Sequence, residues 1–344
     1  MSGKGGETVE KKRIYFIDNV KIIAIFFVAL GHLLMGLYDA GIFTEQTYPE
    51  TFVSILYIFH VPLFFICSGF IYQRMTVKQD FKDYSKNILK KLLALGIPYV
   101  VFVSATYVLK IIFSSSVNSV NSKGLISLLI SAQTAPYWFL YVLFIFFVLN
   151  PIMKNSADAV IRLIIAIALF MVFDYFPPTY LPQYFDHIIT VVRYNAVWFV
   201  LGMFTAYFRL ERYFTKSGGI LFVVFVFLIL FVINNRYYFR GYNLFFGFLA
   251  CAGIISFIGK LSDREKNPKA LSFLAKYTMP VFLMHTIFAA GVRSVLLKIG
   301  ITNIIIHLGA GLAASFILPI IAAMVMEKIH LDFLYAPTKY IKIK

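Results

Sequence analysis

Apolar residues in this chain come in long blocks rather than in the spaced stripes of a soluble helix. Ten blocks stand out, near residues 20–38, 52–73, 92–113, 137–152, 159–176, 191–208, 218–235, 242–259, 277–297 and 304–326. About 20 residues of helix cross a hydrocarbon layer of about 30 Å, so each block reads as a membrane-spanning helix. The pattern predicts an all-α, polytopic integral membrane protein with about ten transmembrane helices. The fourth and fifth blocks are short and meet at a tight turn around Lys154–Asp158. Connections stay below about 25 residues, which leaves the chemistry to the membrane body. Residues 1–344 read as a single membrane-embedded domain, with a cytoplasmic segment at 1–13 and a basic cytoplasmic tail at 327–344. No internal repeat emerges, against a transporter built from inverted halves.

Composition agrees. The chain is 60% hydrophobic and 14% charged, with a mean hydropathy of +0.81, which excludes an ordinary soluble domain. A net charge of +16 would point to nucleic acid in a soluble protein. In a membrane protein it reflects lysine and arginine gathered in cytoplasmic loops, so nucleic acid is not an expected partner. With the N-terminus inside, most basic residues fall before the first block, in Arg74–Lys91, at Lys154 and Arg162, in Arg209–Lys216, in Lys260–Lys276 and after the last block. This asymmetry predicts that both termini are cytoplasmic. About eighteen polar and mixed residues precede the first block and no small-residue cleavage site follows it, so no secretory signal is expected. Cys67 and Cys251 lie in apolar blocks with no metal-ligand spacing, and read as buried free thiols.

The first block carries candidate chemistry. Lys21 and His32 are eleven positions apart, which sets them within about 20° of each other on a helix, with Asp18 within about 60° of both. His32 lies about 16 Å deeper than Lys21, near the bilayer midplane. An ionisable group there costs several kcal/mol unless it faces a polar interior, so it marks a functional site. A histidine so placed can act as general base on a hydroxyl, or carry an acyl group as nucleophile. Asp18 and Lys21 orient it or bind the anionic end of a ligand; the plainer alternative is a snorkelling lysine and a helix-capping acid.

The second block reads Phe59-His60-Val61-Pro62-Leu63-Phe64-Phe65-Ile66-Cys67-Ser68-Gly69-Phe70. Pro62 deletes a helix hydrogen bond and Gly69 thins the helix near its inner end. Counting from the inner ends places His60 at the depth of His32, on the next helix; packing against a carbonyl is the competing role. His285, about 12 Å along the ninth block, either lines the same cavity or packs. Arg74, Lys78, Lys82, Lys86, Lys90 and Lys91 form a dense basic connection beside the second block, suited to phosphates. Outside, Asp174, Asp186, His187, Arg193, Arg236 and Arg240, with the aromatic run Tyr175, Phe176, Tyr180, Tyr184 and Phe185, suit either a sugar or an interfacial belt, the belt being favoured.

Together these motifs resemble the bacterial acyltransferase-3 superfamily of membrane O-acyltransferases. The resemblance rests on Arg13, Asp18, Lys21 and Gly31-His32, and on Phe59–Phe70 including Ser68. It continues through Tyr137-Trp138-Phe139-Leu140, Trp198-Phe199-Val200-Leu201-Gly202 and Leu271–His285. Ala275 and Thr278 depart from the pattern, standing where members often have glycine and serine. The resemblance implies transfer of an acetyl group from cytoplasmic acetyl-CoA to a carbohydrate hydroxyl at the bacterial plasma membrane, with surrounding lipids and no bound cofactor or metal. It implies a catalytic set of His32, Asp18 and Lys21. Substrate or CoA contacts would come from Arg13, His60, Ser68, Arg74, Lys90, Lys91, Trp138 and His285. Acetyl, succinyl and longer acyl groups all fit, as do direct transfer and a covalent acyl-histidine. The lack of a fused extracellular esterase-like domain suggests direct transfer or an unfused partner. A proton-coupled transporter or flippase for a sugar or lipid-linked sugar is the alternative.

Overall fold

The computed structural model describes residues 14–76, 80–114, 124–175, 183–213, 226, 242–262 and 267–341. Arg13, Lys78, Phe176, Tyr180, Arg236, Arg240 and all of the predicted seventh span but Val226 lie outside them. The described residues form ten helices: α1 Tyr15–Asp39, α2 Glu50–Met75, α3 Phe81–Ile112, α4 Leu125–Ser131, α5 Trp138–Leu149, α6 Ser156–Tyr175, α7 Gln183–Tyr207, α8 Tyr242–Leu261, α9 Lys269–Lys298 and α10 Ile304–Lys328. Among the described residues there is no strand. Among the described residues seven helices are long and apolar enough to cross a membrane: α1, α2, α3, α7, α8, α9 and α10. They coincide with seven of the predicted blocks, and the 20-residue α6 coincides with an eighth.

The fourth block behaves differently. Helix α5 has 12 residues and spans about 18 Å, too short to cross alone. It is preceded by the 7-residue α4 and a break at 132–137, and both helices pack between α3 and α7. The Tyr99 hydroxyl, midway along α3, donates to Leu129 O of α4 at 2.7 Å, and its ring lies 5.6 Å from that of Tyr141 in α5. The end of α4 and the start of α5 therefore meet at mid-height in the bundle. Broken backbone at such depth is tolerated where protein or a polar cavity surrounds it.

The segments that charge placement assigns to one side meet at one end of the bundle. Near the start of α1, Asn19 Nδ2 donates to Ser262 Oγ after α8 (2.9 Å) and to Asn267 Oδ1 before α9 (3.1 Å). The Phe16 ring is 5.8 Å from that of Phe70, near the end of α2. Gln73 brackets Met153, donating to its carbonyl (3.1 Å) and accepting from its amide (2.8 Å). Arg74 lies 4.0 Å from Glu211, just after α7.

Helix packing is closest where α2 crosses α7. A Cβ on Gly69 would stand 2.0 Å from Phe199 O, and one on Gly202 would stand 2.1 Å from Ile66 O. Two glycines thus bring backbone against backbone, as small residues do in membrane bundles. Pro62 frees the Ile58 carbonyl, and Gly247 lets α8 lie against it, since a Cβ there would stand 3.0 Å from Ile58 O. Cys251 of α8 donates its thiol to Phe59 O at 3.7 Å, so this buried sulfur serves the proline-broken turn.

The chain ends in two short 3-10 turns, Asp332–Leu334 and Pro337–Lys339, which pack on α3. Lys339 Nζ donates to Asp332 Oδ2 at 2.8 Å and Tyr340 donates its hydroxyl to Asp332. The Lys339 bond, then the Tyr340 bond, hold the Asp332 carboxyl below the usual carboxylate range. A depressed folded-state value means the tail's anchorage is complete above the unfolded value and is lost as pH falls through the lower, folded one. Asp332→Asn is expected to free the tail already at neutral pH, read as faster proteolysis after Lys328. Equal protection of variant and parent would show that the carboxylate does not hold the tail.

Candidate active site

Helix α1 enters the bundle without a side-chain cap, its first residue following Ile14, so Asp18 sits in the first turn and does not cap it. Asp18 and Lys21 are half-buried there, and both lie within electrostatic reach of Cys67 on α2. Three turns further along, His32 is half-buried between α2 and α9. Its ring centroid is 5.4 Å from that of His285, the two planes tilted by 46°. Among the described residues no hydrogen bond ties the His32 ring to the protein.

His285 is held tightly. It is 1% exposed, and its Nδ1 donates to Val281 O (3.0 Å) and Phe282 O (2.9 Å) of its own helix. A carbonyl can only accept, so the proton of the neutral ring is on Nδ1 and Nε2 keeps its lone pair. That Nε2 is buried and has no hydrogen-bond partner among the described residues. An acceptor left open in the interior is rare and calls for a ligand, a proton or a neighbouring donor.

Tyr137 fixes the height of this turn. It is fully buried; its hydroxyl donates to Leu283 O (3.0 Å) and meets Thr106 Oγ1 (2.9 Å) and the Thr286 side chain. The start of α5 and the middle of α3 are thereby locked to α9 beside His285. Tyr137 belongs to a quoted sequence motif, but its bonding to residues so distant in sequence leaves no trace in the motif.

His60 is 1% exposed and its Nδ1 donates to Leu56 O. A Cβ on Gly31 would lie 3.9 Å from His60 Cε1 and 3.5 Å from Tyr57 Cε2, so Gly31 gives the two rings room beside the His32 turn. The Tyr57 ring is 4.6 Å from His60, and its hydroxyl contacts the Met35 sulfur. Three histidines from α1, α2 and α9 therefore cluster around one level of the bundle. Among the described residues no group of three histidine, cysteine or acidic side chains forms a metal-binding set.

The basic residues take a different form from a loop. Asp80 caps α3 by accepting from the Asp83 amide at 2.7 Å, so the helix starts at Phe81 and holds Lys82, Lys86 and Lys90 on one stripe. Lys82 and Lys90 are exposed, while Lys91 turns inward over the Phe147 ring at 4.3 Å. Arg74, exposed, faces Glu211. Ser68 and Trp138 are half-buried in the interior, the Trp138 ring 6.4 Å from that of Phe65. The structure thus forms two groups: histidines at mid-height and cations at the end of the bundle that holds the start of α1 and the chain's last turns.

A family described as "Acyltransferase domain" matches this chain over residues 14–324. The chain belongs to the acyltransferase-3 family. The match takes in every described residue of the histidine cluster and of the α3 basic stripe. A curated relative, the nodulation protein NolL of Mesorhizobium japonicum, is 27% identical over 161 residues. That alignment covers 45% of this acyltransferase and 40% of NolL, so the chain spans less than half of that relative. No solved structure matches the chain.

Proposed function

We propose that this membrane acyltransferase moves an acetyl group from acetyl-CoA, docked at the basic end of the bundle, to a hydroxyl of a cell-surface or exported carbohydrate. The observation that carries the reading is the facing of His32, which makes no hydrogen bond among the described residues, by His285, whose Nε2 is an open acceptor there. In this reading the two rings, 5.4 Å apart between centroids, draw together during the reaction so that one His32 nitrogen donates to His285 Nε2, which fixes the tautomer and leaves the other nitrogen as base. The acceptor oxygen attacks the thioester carbon while His32 takes its proton; the carbon–sulfur bond breaks, and the imidazolium returns the proton to the departing thiolate. The products are the acetyl ester and free CoA.

Lys82, Lys86, Lys90 and Arg74 suit the phosphates of CoA, and Lys21 with Asp18 lies between that end and His32 along α1. An apolar cavity of about 190 Å³ between α1, α9 and α10 includes Val281, the residue that holds His285, in its wall. It suits the hydrocarbon end of an acyl group.

The test is purified protein supplied with acetyl-CoA and the cell's de-O-acetylated surface glycan. Glycan-dependent release of free CoA, with ester appearing on the glycan, is the expected result. Uptake of glycan that depends on a proton gradient, with no CoA released, would replace this reading with a transporter.

A further inference from the structure

The break between α4 and α5 holds polar atoms that the mechanism above does not use. Ser127 and Ser131 in α4 and Thr134 in the break each have a buried hydroxyl without a hydrogen-bond partner among the described residues. Ser315, Ser85 and Thr278 close onto their own helices, donating to Gly311 O, Phe81 O and Ala275 O; Ser256 Oγ in α8 is also buried without a partner, but among the described residues the α4–α5 segment gathers three such hydroxyls. The contrast matters because a buried hydroxyl left open costs free energy and is uncommon in folded proteins.

Helix α7 adds to the same place. His187 bonds through one nitrogen to the Ala132 backbone, and its Nε2 is buried with no partner. Arg193, two turns deeper, is 8% exposed and lies over the Tyr194 ring at 4.6 Å. The break then runs on to Tyr137, whose hydroxyl is bonded to Leu283 O, two residues before His285. These buried polar atoms therefore lie where α4 meets α7, on the segment that continues to the Tyr137 turn beside His285.

We propose that Ser127, Ser131, Thr134, His187 and Arg193 form the subsite that holds the carbohydrate acceptor. Hydroxyl groups that both donate and accept, beside an imidazole acceptor, match a polyhydroxyl ligand, whereas a phosphate would call for several cations. This assignment rests on the acyl-transfer reading for the identity of the ligand, but its test does not depend on turnover.

The probe is the de-O-acetylated surface glycan of the producing cell, cut to tetrasaccharides, titrated calorimetrically into the full-length protein in nanodiscs. Ser131→Ala combined with Thr134→Val is expected to weaken binding about tenfold or more. The ligand-free double variant should melt no lower than the parent, because it removes hydroxyls that have no partner. Thr134→Ser, which keeps the hydroxyl, should bind like the parent, and so should Ser315→Ala. Unchanged binding by the double variant, no binding by the parent, or loss of binding in Thr134→Ser would each overturn the subsite. A lowered melting point with unchanged affinity would assign the hydroxyls to structural water instead. Binding lost in the double variant while the parent never cleaves acetyl-CoA would uphold the subsite and remove the acyl-transfer reading.

Discussion

His32→Ala is expected to lower glycan-dependent CoA release by about 10²–10⁴-fold, the range that a positioned general base contributes. The protein should remain in the membrane with an unchanged melting point, because His32 makes no hydrogen bond within the described protein and is only half-buried. The loss should fall on kcat rather than on the KM for acetyl-CoA, since the imidazole acts in the transition state and the phosphates dock elsewhere. His285→Gln offers the informative comparison. Glutamine keeps a polar group near the His32 ring but gives up the locked acceptor, so its loss should be smaller and should move the acid limb of the kcat profile, where a general base becomes protonated. Activity of His32→Ala within about threefold of the parent would remove the histidine from the chemistry altogether.

The largest structural effect is expected from Gly202→Ala. Its new methyl carbon would stand 2.1 Å from Ile66 O and 2.9 Å from Ile66 Cα, both backbone atoms of α2. No rotamer change relieves a clash with backbone, so α2 and α7 must separate. Overpacking of this kind costs about 1–3 kcal/mol or more, and here it also strains the closest crossing in the bundle. Gly69→Ala meets the same obstacle from the other helix, 2.0 Å from Phe199 O. Gly311→Ala is the control: its methyl meets Leu33 Cδ1 at 2.6 Å, the mobile end of a side chain that can turn away. Melting in detergent and the yield of membrane-inserted protein report the ranking, with Gly202→Ala and Gly69→Ala far below Gly311→Ala. Equal melting of all three would show that the α2–α7 crossing is looser than the structure places it.

Much of the architecture was legible in the residues alone. A bilayer imposes a length on each apolar block that does not depend on its neighbours, so seven blocks emerge as full helices and the short fourth one announces its own irregularity. The charge pattern likewise groups the segments that meet at one end, because each loop is sorted individually. The stripe of Asp18, Lys21 and His32 needed no more than helical periodicity.

What the chain could not announce are relations between distant residues. His285 faces His32 because α9 packs against α1, and its Nε2 stands open because Val281 and Phe282 take the other nitrogen. Four residues of the basic connection, Lys82, Lys86, Lys90 and Lys91, turn out to lie in the first turns of α3, fixed by the Asp80 cap. Tyr137 and the open hydroxyls of the α4–α5 break acquire meaning only from α3, α7 and α9 around them. Periodicity along one helix fixes which residues share a face; which faces meet is set by side-chain volume and glycine-sized gaps at crossings, and those exist only once the helices are assembled.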